Sequence, residues 1–218
     1  MKIIDLTHDL TAGMYVFPGD PGLEIEDAQR YERGYFVTRF AMGTHTGTHI
    51  DTPVHKLAGQ PSITETPIEA FAAFQATVVD CRDHGKIVDA SFLRSREEEF
   101  AGCDGIIIRS GWTSRFGDAS FFDDFPGFDE DVAPYLKEKG IHLLGTEAPS
   151  VHPERHESVH ASILKEGIII LEAVALPEQM PDRFELYAMP LKLKDRDGSP
   201  VRAFALQRDG EDEKDTMV

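Results

Sequence analysis

Cysteine is scarce in this chain of 218 residues: Cys81 and Cys103 are its two thiols, and they fall in no CxxC or CxxxH arrangement. That makes a disulfide framework a poor expectation and a reducing cytoplasm the natural compartment. Long apolar runs are missing as well. No stretch approaches the roughly 18–20 apolar residues needed to cross a bilayer. The opening Met1-Lys2-Ile3-Ile4-Asp5 turns acidic too soon for a signal peptide. A soluble protein with no membrane partner is expected. Positive charge is in the minority, with 22 Lys and Arg against 39 Asp and Glu and a net charge of −17. Such a field repels phosphate backbones and no basic stripe overrides it, so nucleic acid is a poor partner. Internal repeats and low-complexity linkers are absent too.

What is present fits one domain. Hydrophobic residues make up 41%, enough at this length for a sizeable core. Short apolar runs alternate with helical stretches, the pattern of a single mixed α/β domain over residues 1–208. Runs at 76–80, 105–109, 141–144 and 168–172 read as strands buried on both faces. Thr66-Pro67-Ile68-Glu69 predicts a helix start, with Thr66 as cap and Glu69 closing a capping box. Further helices are predicted over 129–139 and 156–166, each stopped by a glycine, Gly140 and Gly167. Asp197-Gly198 signals a hairpin between two strands. Residues 209–218, acidic through Glu211-Asp212-Glu213, are expected to form a frayed tail.

The chemistry concentrates in Gly43-Thr44-His45-Thr46-Gly47-Thr48-His49-Ile50-Asp51-Thr52-Pro53-Val54-His55. His45, His49, Asp51 and His55 all occupy odd positions, and alternate residues of an extended chain face one side. Full extension would still set His45 and Asp51 about 20 Å apart, at roughly 3.3 Å per residue. One ion could not hold both. Two glycines and four β-branched threonines argue against a helix. The segment is therefore expected to curl, with Gly43 and Gly47 supplying a permissive backbone and Pro53 ending any central ladder. Imidazole and carboxylate ligands without thiolate suit zinc, manganese or ferrous iron.

The run His45-x-Gly47-Thr48-His49-x-Asp51-x-Pro53-x-His55 resembles the signature of the cyclase-like metal hydrolases. That family contains bacterial kynurenine formamidase and isatin hydrolase. The resemblance extends over most of the chain, through Ile4-Asp5-Leu6-Thr7, the Phe17-Pro18-Gly19-Asp20 loop and the segment from His160 to Glu172. It implies the swivelling β/β/α fold and a site for one or two divalent ions, zinc or manganese. His45, His49 and Asp51 would hold the first ion, and Asp51 would bridge to a second held by His160 and Glu172. His55 would transfer protons. A homodimer or larger homo-oligomer is implied as well. Independently, His160 falls on a predicted helix and Glu172 closes an apolar strand, where a buried carboxylate needs a partner such as a cation. His152 and His156 share the helical spacing of four with His160 but lie outside the signature, and are expected in solvent. His8, His84 and His142 belong to no motif. Phe17 stands where many formamidases carry a substrate-contacting tryptophan, and Glu147 and His152 stand where the family commonly has aspartates. These departures bear on the substrate.

The expected function is hydrolysis of an amide carbon–nitrogen bond in a small molecule, arylformamidase-like, taking N-formylkynurenine to kynurenine and formate. A bound cation lowers the pKa of water from 15.7 to about 7. His55 would take a proton from that water and pass it to the leaving nitrogen. Arg109-Ser110-Gly111-Trp112 is no G-x-S-x-G elbow, so a serine hydrolase is a weak reading. The rivals are a lactam-opening hydrolase of the isatin type and a non-catalytic metal or small-ligand binding protein of the same fold. Retention of His55 argues against the second. Phe17, Tyr35, Phe36 and Trp112 are candidates for an aromatic pocket. The core is the ordinary place for each, and Phe17 is the one expected to meet substrate, because its Pro-Gly-Asp neighbours form a loop.

Overall fold

Three consecutive isoleucines, Ile106, Ile107 and Ile108, are each no more than 2% exposed, which only a central strand covered on both faces achieves. They belong to a computed structural model that describes residues 1–32 and 34–208; the tail at 209–218 lies outside the described residues. In chain order the strands are β1 (Lys2–Asp5), β2 (Glu24–Gln29), β3 (Val37–Ala41), β4 (His49–Asp51), β5 (Phe74–Asp80), β6 (Ile87–Val88) and β7 (Gly105–Arg109). They continue as β8 (Gly127–Phe128), β9 (Leu143–Thr146), β10 (Ile169–Glu172), β11 (Phe184–Tyr187), β12 (Gly198–Pro200) and β13 (Phe204–Gln207). The helices are α1 (Ala90–Ser95), α2 (Glu97–Phe100), α3 (Val132–Glu138) and α4 (His156–Lys165).

Nine strands form one mixed sheet in the order β1-β13-β11-β5-β7-β9-β10-β4-β12. The four central strands, β5, β7, β9 and β10, run parallel, and antiparallel strands extend both sides. Alternation along β7 sends Ile106 and Ile108 into one apolar cluster and Ile107 into another. The first cluster is filled by α3 and α4 through Val132, Leu136, Val159 and Ile163. The second gathers Ile50 and Val201 from one end of the sheet and Leu186 and Ala205 from the other. The sheet therefore curls over its own apolar face.

All four expected strands are present, and α3 and α4 are followed by Gly140 (φ 77°) and Gly167 (φ 74°) in the left-handed conformation. Two expectations are corrected. No α-helix starts at Thr66: its hydroxyl donates to the Ser62 carbonyl (2.9 Å) and does not cap. Only a short 3₁₀ turn, Ile68–Phe71, follows, anchored by buried Phe71. Nor does Asp197-Gly198 join two hairpin strands. β12 pairs with β4 instead, and a single bridge, Pro190 to Val201, stands where the hairpin was expected.

β2 and β3 form a separate two-stranded ribbon that sequence reasoning missed. Every residue of β3 is exposed. Its register sets Ile25 against Phe40 on one face and Glu26 against Arg39 on the other.

Candidate metal centre

The His-rich segment curls at one residue. Gly47 has φ +66°, and a Cβ there would lie 2.6 Å from Leu10 Cδ2, so no other residue fits the turn without strain. Gly43 needs no left-handed backbone, which corrects the expectation that both glycines bend the loop. Past the turn the chain enters β4, seated between β10 and β12. Its register sets His49 opposite Glu172 and Asp51 opposite both Ile170 and Gly198. Helix α4 brings buried His160 to the same place.

Around Asp51, which is completely buried, the side chains converge. Its Oδ1 lies 2.8 Å from His45 Nδ1 and 3.4 Å from His49 Nε2. Its Oδ2 lies 3.3 Å from His160 Nε2 yet has no hydrogen-bond partner. Glu172 faces His160 Nε2 at 3.0 Å and His49 Nε2 at 3.3 Å. The outer nitrogens of two rings are held by main chain: His49 Nδ1 donates to the Gly47 carbonyl (2.8 Å) and His160 Nδ1 to the His156 carbonyl (2.5 Å). Their Nε2 atoms are thereby directed at the carboxylates. His55 has a ring centroid 4.1 Å from that of His45 and 5.4 Å from that of His160.

Three imidazoles and two carboxylates, nearly all without water, suit a divalent cation of the zinc or manganese kind. The orphaned Asp51 Oδ2 is the sharpest sign of the fit, since a buried carboxylate oxygen without a donor costs free energy that a cation removes. Electrostatics agree. Burial alone would depress the pKa of His45, but the Asp51 charge together with the hydrogen bonds to Asp197 and Asp51 outweighs it and raises it to about 9. Burial is likewise overcome at His49 and His160, which the neighbouring carboxylates of Asp51 and Glu172 raise to about 10. Asp51, pushed up by burial, is pulled well below the ordinary carboxylate range by His45 and its neighbours.

The cluster forms the floor of a cleft of about 330 Å³ whose walls include Phe17, Asp20, Lys56, Ser150 and His156. Phe17 meets His156 and Phe122 edge-on, at centroid distances of 6.0 and 6.1 Å. Of the four aromatic candidates, Phe17 alone lines this cleft. Tyr35 and Phe36 are about half exposed beside the ribbon, and Trp112 donates from Nε1 to the Phe121 carbonyl (2.9 Å). His152 is buried, not solvated: its Nδ1 accepts from the backbone N–H groups of Glu154 and Arg155 ahead of α4. Glu147 is also buried and accepts from the Ser110 and Gly111 N–H groups. Neither lies in the cleft wall. Sequence reasoning missed Asp197, whose carboxylate reaches His45 and His55, and the placing of His156 in the wall.

Known proteins resemble this chain in sequence and in fold. The Cyclase family, described as "Putative cyclase", matches residues 4–153. Kynurenine formamidase of Bacillus thuringiensis subsp. konkukian (strain 97-27) is 35% identical over 211 residues, covering 92% of this chain and 95% of that protein. The Bacillus anthracis kynurenine formamidase is 34% identical over 213 residues, covering 93% and 96%. Among solved structures, isatin hydrolase A from Labrenzia aggregata, bound to benzyl benzoate, superposes with a TM-score of 0.83 at 26% identity, covering 94% and 93% of the two chains. The class is a single mixed α/β domain of the cyclase-like hydrolase fold. The chain belongs to the Cyclase family.

Proposed function

We propose that this protein is a metal-dependent hydrolase of N-formyl aryl amines, with N-formylkynurenine as substrate and kynurenine and formate as products. The observation that carries the reading is the buried cluster around Asp51, with one carboxylate oxygen left without a hydrogen bond. Identity of 34–35% to kynurenine formamidases over more than nine-tenths of the chain supports the formamide. Likeness to isatin hydrolase A supports a second reading, opening of a cyclic amide. Both reactions add water to a carbonyl carbon and break its bond to nitrogen, which takes up a proton.

His45, His49 and Asp51 would hold one ion, and His160 and Glu172 with Asp51 a second, zinc or manganese. When bound, such a cation supplies water of lowered pKa and polarises a carbonyl oxygen. The chain's own residues do the rest. His55, its Nδ1 turned toward Asp197, would take a proton from the attacking water at Nε2 and return it to the leaving nitrogen. Phe17 offers an apolar edge for the aryl ring. Metal analysis of the purified protein, alongside hydrolysis of N-formylkynurenine and isatin, tests the whole reading. Bound divalent metal with faster deformylation is expected. Faster isatin opening selects the second reading, and a metal-free chain inactive on both removes the proposal.

The proposal extends to a homodimer or larger homo-oligomer in the cytoplasm. Two buried cysteines that are not paired with each other are in keeping with that compartment. The ribbon supports assembly, because an isolated two-stranded ribbon is marginal in water. At roughly 200 Å² per aromatic side chain, Tyr31, Tyr35, Phe36 and Phe40, exposed by 76, 50, 45 and 58%, leave on the order of 450 Å² in water. That equals the apolar share of one side of a standard interface, about 57% of roughly 800 Å².

A further inference from the structure

We propose that Asp197 is a positioning residue of this centre, fixing the His45 ring from behind and tying His55 to it. The inference rests on the metal-hydrolase reading and concerns how that site is held. His45 lies between two carboxylates, its Nδ1 2.8 Å from Asp51 Oδ1 and its Nε2 2.8 Å from Asp197 Oδ2. His45 belongs to two groups able to hold an ion, one with buried His49 and Asp51 and one with half-buried His55 and Asp197, and the proposed ion lies in the buried group. The N–H of a ligating histidine therefore belongs on the opposite nitrogen, and Asp197 is its acceptor. Such an outer carboxylate selects the tautomer and the ring orientation. The same Oδ2 lies 3.4 Å from His55 Nδ1, so one oxygen sets both rings.

Asp197 is itself held on every side. Thr44 Oγ1 donates to its Oδ1 (3.1 Å). Its carbonyl accepts from the Thr52 N–H (2.9 Å) and the Thr52 hydroxyl (2.8 Å). The segment before β12 is thus fastened to both ends of the His-rich loop. Gly198 completes the support: a Cβ there would stand 2.7 Å from His45 Cε1 and 2.7 Å from the Ile50 carbonyl oxygen. Asp197 grips the imidazole while Gly198 leaves it room. Its side chain is 38% exposed, at the rim of the site and outside the buried group of ligands.

The test uses D197N, whose carboxamide oxygen can still take the Thr44 bond, together with D197A. Zinc stoichiometry and affinity are measured by chelator competition. Imidazole ¹⁵N spectra are recorded for metal-free and zinc-loaded protein, and kcat and KM are measured on an N-formyl aryl amine at saturating zinc. We expect unchanged stoichiometry, zinc affinity weakened about 10- to 100-fold, a lower kcat with KM within about twofold, and shifted His45 and His55 resonances in both states. Wild-type affinity with unshifted imidazoles overturns the proposal. Loss of one zinc per chain also overturns it, by making Asp197 a ligand. A wild type that takes up no zinc removes the metal reading, while the imidazole shifts of the metal-free protein still decide whether Asp197 orients the two rings.

Discussion

At the scale of single residues, Asp51 organises the site, because it is fully buried and faces three imidazoles through two oxygens. His49 and His55 then separate two kinds of role. His49 lies between Asp51 and Glu172, so His49→Ala should lose most of the bound metal, measured per chain by elemental analysis. Unchanged metal would move the site elsewhere. His55→Ala should keep its metal and lower kcat by about 10²–10⁴-fold, the usual range for general acid–base catalysis. Metal and activity falling together would make His55 a ligand. Protons and cations also compete here. With pKa values raised to about 9 at His45 and about 10 at His49 and His160, these rings carry protons at neutral pH that a cation must displace. Metal affinity should therefore rise with pH up to about 9, on the order of tenfold per unit for each displaced proton. Calorimetry at pH 6, 7 and 8 in buffers of different ionisation enthalpy reads both the slope and the protons released, and a flat profile would contradict the raised values.

At the scale of elements, the site depends on a register that joins distant parts of the chain. β4 pairs with β10 and β12, which sets His49 against Glu172 and Asp51 against Gly198. Gly47 makes the entry into β4. Gly47→Ala would place a side chain at φ +66° and against Leu10, a backbone cost of about 1–3 kcal/mol. The melting temperature should fall by roughly 2–12 °C for a domain of this size. Gly198→Ala would set a Cβ 2.7 Å from both His45 Cε1 and the Ile50 carbonyl oxygen. It should therefore lower the melting temperature and also weaken metal binding by crowding His45, and an unaltered zinc affinity in the folded variant would show that the ring can move away. The elements that local pattern revealed are those with a local cause. Unbroken apolar runs make central strands, glycines stop α3 and α4, and Gly47 curls the loop that gathers His45, His49 and Asp51. What stayed hidden has a distant cause. Asp197 contacts residues 142 to 153 positions away, so Asp197-Gly198 showed only its turn chemistry. Thr66 has the composition of a cap, yet its hydroxyl is taken by Ser62. The ribbon escaped notice because β2, Glu-Ile-Glu-Asp-Ala-Gln, carries little apolar alternation.

At the scale of the whole molecule, two features oppose each other. A net charge of −17 makes copies of this chain repel at long range. The ribbon, with Phe40 and Ile25 paired on one face, offers apolar area that association would remove from water. The ribbon is also continuous with the site, since β2 begins just after the Phe17-Pro18-Gly19-Asp20 loop and β3 ends four residues before His45. If apolar burial drives the proposed assembly and charge resists it, salt should help. The screening length falls from about 10 Å at 0.1 M to about 3 Å at 1 M, so the repulsion fades while the hydrophobic term persists. Light scattering should give a multiple of 24.3 kDa for the wild type, with dissociation on dilution that salt suppresses. Phe40→Glu adds charge to the apolar face of the ribbon and should yield the single-chain mass at every salt concentration, with the melting temperature of the main sheet little changed because β3 is exposed along its length. A wild type that stays at the single-chain mass across concentration and salt would end the case for a dimer. A variant that still assembles would move the interface off the ribbon.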